Sequence, residues 1–213
     1  MSLLSGIQRD TLTEILTLGL GQAGESLNEL LDTHISLQAP IIKFFTREEF
    51  DDDLMPQLTD KIGTSATSTV QQNFTGDTRG GASLIFHPDS ARKLVAVLTG
   101  EEITSPEIDT LRSGTLMEVG NIVINGILGT ISNQLQCNLD FHLPEYRDEQ
   151  IAKMFQSNTP QLHDHVFTYA EAVFQVKDLK ISGILLIVFN IEDLQHFLPL
   201  LDQYYAREIQ NNA

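Results

Sequence analysis

The sequence predicts a single α/β (α+β) domain built from two similar halves. Its 213 residues are enough for one sizeable core and few for two full domains, and 41% hydrophobic residues is typical of a globular chain. Helical and strand-like periodicities follow one another in an order that runs through the chain twice. Landmarks also recur at a constant offset. Pro40 follows Glu14 by 26 positions and Pro144 follows Glu118 by the same 26, so each pair is 104 residues apart.

The first periodic segment runs from about Leu4 to Leu31, with Leu12, Ile15, Leu16, Leu20, Leu27, Leu30 and Leu31 at helical spacing. His34 to Phe45 reads as a strand around Pro40, and the acidic stretch Arg47 to Leu58 as weakly helical. Ala66–Phe74 and Ala82–Phe86 form a hairpin across a turn at Thr75–Gly81. Pro88–Leu98 is a helix, with Pro in its first turn, Asp89 near its N-terminus and Gly100 past its end.

The order then restarts. Glu107–Leu135 is a long helix, Leu139–Leu143 is strand-like, and Glu145–Gln156 reads as a short polar helix. Val166–Val176 and Ile181–Phe189 are strands joined by a turn at Lys177–Lys180, and Ile191–Ile209 is the closing helix. The expected half-repeats are about 9–103 and 109–208, within one domain spanning 1–213.

A formal net charge of −16, from 13 basic and 29 acidic residues, repels nucleic acid and anionic membrane surfaces. By charge alone it reads first as a solvated acidic coat, and it also suits a partner with a basic surface. The most apolar stretch, Ile181–Asn190, is too short to span a bilayer, and no basic region precedes an apolar N-terminal run, so neither a membrane span nor a signal peptide is expected. The single cysteine, Cys137, allows no internal disulfide and suits a reducing cytoplasm.

The chemistry-bearing stretch is Met117–Ile122. Residues three and four apart share a helix face, so Glu118, Asn121 and Asn125 form one polar stripe on a helix otherwise rich in Leu, Val and Ile. Spacing alone also fits a solvated amphipathic face. The long helices carry Gly19, Gly21, Gly24, Gly120, Gly126 and Gly129. Each costs roughly 1 kcal/mol relative to Ala, which close packing would offset. His163-Asp164-His165 lacks a supporting Cys/His cluster, so no metal site is expected.

Glu118-Val119-Gly120-Asn121, with Pro144 beyond, resembles the signature of the CheC, CheX and FliY phosphatase family: Asp or Ser, three residues, Glu, two residues, Asn, and a Pro further on. The motif can be placed twice, as in the two-repeat CheC-like members. In the second copy Gly114 stands where the family has Asp or Ser. The first copy has Asp10, Glu14 and Pro40, but Thr17 replaces the Asn, which makes it a degenerate site.

The resemblance implies a continuous, largely antiparallel sheet with the two long helices exposed on one face. It implies hydrolysis of the aspartyl phosphate of a phosphorylated CheY-type receiver, with Asn121 positioning the water, Glu118 docking on the receiver, and Pro144 and Asn125 in support. No cofactor is implied in this chain, since Mg2+ belongs to the receiver. A CheD-type deamidase is a further partner of the family. A catalytically inactive receiver-binding module of the same fold is the alternative that Thr17 and Gly114 favour.

Overall fold

The structure is a computed structural model and describes residues 4–31, 34–39, 41–62, 65–156, 165–176 and 178–211. The first series of elements is α1 (Gly6–Leu31), β1 (Ile35–Gln38), β2 (Ile42–Phe45), α2 (Arg47–Glu49), a π-helical turn (Phe50–Leu54), α3 (Met55–Ile62), β3 (Thr67–Gly76), β4 (Gly80–Phe86) and α4 (Pro88–Thr99). The second is α5 (Glu107–Leu135), β5 (Leu139–Phe141), β6 (Glu145–Glu149), α6 (Ile151–Gln156), β7 (His165–Val176), β8 (Leu179–Asn190) and α7 (Ile191–Asn211).

All eight strands join one antiparallel sheet, in the order β1-β7-β8-β4-β3-β5, with β2 also on β7 and β6 also on β3. Exchanging β1 with β5, β2 with β6, β3 with β7 and β4 with β8 reads the same order from the opposite edge. The connectivity therefore has a pseudo-two-fold through the β4–β8 pair. The outer strands of each series lie against β3 or β7 of the other, so neither series could form its half of the sheet alone.

Register puts one row of side chains across the whole sheet: Tyr146, Val70, Leu84, Leu185, Ala170 and Ile42. This row faces α1, α4, α5 and α7, and with them forms the main core. The opposite face is also covered. Ile85, Ile184, Leu186, Phe167 and Tyr169 pack with Phe50, Leu54, Leu58, Ile62 and Ile151. Burial on both faces explains why β8 reads as an almost unbroken apolar run rather than an alternating one.

The sequence reading needs correction in several places, one of them the β3–β4 turn, where Thr75 and Gly76 belong to β3 and Gly80 and Gly81 to β4. His34–Phe45 is two strands rather than one. Glu145–Glu149 is a strand, not the start of a helix; only Ile151–Gln156 is helical. Its residues pair with Thr67–Gln71 of β3, and that unsatisfied strand edge decides the conformation of a segment whose own pattern is weak. Leu179 and Lys180 belong to β8, not to the turn. Among the described residues only α5 is long and apolar enough by composition to cross a membrane. Its Leu116, Val119, Val123, Ile124, Ile127, Leu128 and Ile131 are buried in the domain core.

Candidate functional site

The site begins with the seating of α5. A Cβ at Gly120 would lie 2.5 Å from Val70 Cγ1, so only glycine lets the helix rest this closely on β3. Gly19 does the same between the long helices: its Cβ would sit 2.8 Å from the Ile127 Cα. These two contacts answer the helix-propensity cost of the residues that make them, whereas Gly21 and Gly129 have open space around them.

With that side of α5 against the sheet, Glu118 is exposed and Asn121 and Asn125 are half-buried on the outward face. Among the described residues no cation pairs with Glu118. It stands at the junction of two adjoining hollows. One, of about 360 Å³, is lined by Ser26, Glu29, Glu118 and Ile122. The other, of about 310 Å³, runs between α1, α4 and α5 and includes Leu27, Leu98, Gly114, Glu118 and Ile122. The floor is apolar and the rim acidic, a surface suited to a protein partner that brings a cation.

Asn121 is not free to turn. Asn125 Nδ2 donates to Asn121 Oδ1 at 2.8 Å, one helical turn away. Asn125 Oδ1 in turn accepts from Gln72 Nε2 of β3 at 2.9 Å. The same Nε2 donates to the His142 carbonyl at 2.8 Å, and the His142 amide donates to Asn73 O at 2.9 Å. The loop that carries Pro144 is thereby tied to the polar stripe on α5. Pro144 itself is half-buried, and its neighbour Leu143 is 88% exposed.

Gln72 was not among the residues singled out from the sequence, though the signal was present. Period-two alternation puts it on the face shared by Val70 and Phe74, where an amide in an apolar row demands a partner.

The first copy of the motif is built differently. Asp10, Glu14 and Thr17 are all exposed on α1. The Thr17 hydroxyl donates back to Thr13 O at 2.8 Å, so it is engaged by its own helix. Four residues on, where α5 has Asn125, α1 has Gly21 and no side chain to hold anything. Pro40 and the pair His163-Asp164 lie outside the described residues. Among the described residues the structure thus assembles Glu118, Asn121, Asn125 and the Pro144 loop, and gives Asp10, Glu14 and Thr17 no comparable network.

No family model matches the sequence. Solved structures do resemble it in fold. FliY from Thermotoga maritima superposes with a TM-score of 0.67 at 15% identity, covering 97% of this chain and 99% of that one. The FliM middle domain from H. pylori gives 0.59 at 14% identity, over 92% and 99%. A chain of the FliG–FliM complex from H. pylori gives 0.58 at 13% identity, over 93% and 100%. Near-complete mutual coverage at these TM-scores establishes shared architecture: the chain has the CheC/CheX/FliY-type fold.

Proposed function

We propose that this chain is a cytoplasmic phosphatase acting on the aspartyl phosphate of a CheY-type receiver. The observation that carries the reading is the pairing on α5 of an exposed, uncompensated Glu118 with an Asn121 whose amide is held from behind by Asn125. Aspartyl phosphate is an activated acyl phosphate, and the receiver brings its own Mg2+ and lysine. The remaining task is to hold a water in line with phosphorus. Asn121 Oδ1 keeps one lone pair beyond the bond from Asn125, enough to accept an O–H of that water. The water oxygen bonds to phosphorus, the P–O bond to the aspartyl group breaks, the carboxylate leaves, and the water's protons stay on the phosphate formed, which exchanges them with solvent. Glu118 anchors the receiver through a charge-assisted bond to its lysine. The α1 site, with Thr17 tied to Thr13 O, docks at most. A CheD-type deamidase is a candidate second partner.

The duplicated order of elements fits half-repeats at 9–103 and 109–208 descended from one ancestral half. A second functional reading is a non-catalytic adaptor. The fold likeness to FliM, whose H. pylori form is solved with FliG, and the degenerate α1 motif support it. Phosphate release from a phosphorylated receiver separates the two: the phosphatase accelerates it, the adaptor binds without accelerating it.

A further inference from the structure

The polar chain behind Asn121 has a direction, and the element that sets it lies on the sheet. The His142 carbonyl only accepts, so the end of Gln72 that faces it must be the NH2. That same NH2 reaches Asn125, which must then present Oδ1 to Gln72 and Nδ2 to Asn121. Asn121 is left with Oδ1 toward Asn125. Each amide is symmetric in shape and could otherwise sit either way round. One backbone carbonyl breaks the degeneracy of all three.

Gln72 is 2% exposed, and its Oε1 has no hydrogen-bond partner among the described residues. A buried amide oxygen left unbonded carries its full desolvation penalty. Turning the amide over would bring Oε1 against the His142 carbonyl and break both bonds that Nε2 makes. A leucine would fill the same apolar row beside Ala82 and Phe74 without that cost, so packing does not account for the glutamine.

We propose that Gln72 is a positioning residue for the reaction: through Asn125 it fixes the amide orientation of Asn121 and so the place where the attacking water is held. This rests on the phosphatase reading given above. Gln72 touches neither water nor phosphate in this scheme. Its effect belongs on turnover and not on receiver binding, which depends on Glu118.

The test uses the full chain with Gln72→Met, which keeps the volume and removes both donors, and Asn125→Ala, which cuts the chain at its middle link. Asn121→Ala serves as the reference. Phosphate release from a phosphorylated receiver should show kcat down about tenfold or more in each variant with KM unchanged, the range typical of residues that orient a reacting group from behind. The double variant should lose no more than Asn125→Ala alone, because both cut one path. In the free chain, the side-chain amide resonances of Asn121 should shift in Gln72→Met.

Full kcat in Gln72→Met while Asn121→Ala loses activity overturns the positioning role. So does additive loss in the double variant. Should Asn121→Ala retain full activity, the phosphatase reading fails instead. The amide resonances then judge the orientation alone: unmoved Asn121 signals in Gln72→Met overturn it. Where Gln72→Met does not fold, Asn125→Ala supplies the same comparison from the helix side.

Discussion

Arg79 grips Asp193 with two guanidinium contacts, Nε to Oδ2 at 2.9 Å and Nη2 to Oδ1 at 3.3 Å, and its backbone amide donates to Oδ2 at 3.0 Å. The pair ties the β3–β4 turn to the first turn of α7. The bonds from Arg79 hold the Asp193 carboxyl below its ordinary range, and they outweigh the partial burial that acts the other way.

A pH dependence follows from that direction. A carboxyl with a depressed folded pKa contributes stability that is complete above its unfolded value, about 3.9, and is lost as pH falls through the folded value. Asp193→Asn should therefore lower Tm by a constant amount at pH 5 and above. Below about pH 4 the gap to wild type should close. Thermal melts across that range check it, and a gap that widens in acid would contradict the assigned role.

Two glycines of α5 should respond oppositely to alanine. A Cβ at Gly114 meets nothing within 4 Å, whereas at Gly120 it meets Val70 at 2.5 Å. Gly114→Ala should stabilise by up to about 1 kcal/mol through helix propensity, raising Tm by roughly 2–4 °C in a chain of this size. Gly120→Ala should lower Tm, since overpacking of this kind costs about 1–3 kcal/mol. Calorimetry of the two variants decides whether α5 sits on β3 as described.

The two motif copies should differ in activity. Asn121→Ala is expected to reduce phosphate release by a factor on the order of 10², the scale of loss from misplacing a reacting group. Thr17→Ala should leave turnover unchanged, because its hydroxyl is bonded to Thr13 O and not offered outward. Equal losses in both variants would refute the asymmetry between α5 and α1.

Glu118 should act in binding. Glu118→Ala is expected to weaken affinity for the phosphorylated receiver about tenfold or more, the scale of a lost charge-assisted bond, with a smaller change in turnover at saturating receiver. Glu14→Ala should alter the number of receivers bound and leave turnover intact. Titration calorimetry gives both affinity and stoichiometry. Unchanged affinity in Glu118→Ala would remove it from the docking surface.

Much of the fold is local and was legible. Glu107–Leu135 is a helix to the residue, and Gly100, with φ +77°, ends α4 as its place in the sequence suggested. The outward stripe of Glu118, Asn121 and Asn125 was readable because helical spacing fixes which residues share a face. Helical spacing likewise puts Asp10, Glu14 and Thr17 on one face of α1, and the packing of the domain leaves that face exposed. Which residues share a face required no knowledge of what α1 and α5 pack against.

By itself, the sequence determined the elements whose period is carried in their own side chains: the long helices, the β3–β4 and β7–β8 hairpins, and the repeat of order between the halves. Tertiary structure alone decided the placement of β4 beside β8, the strand at Glu145–Glu149 and the partners of Gln72. The physical reason is common to all three. Each depends on hydrogen bonds between groups far apart in the chain. An open strand edge or a buried amide selects its partner by position in space, and no local periodicity records that choice.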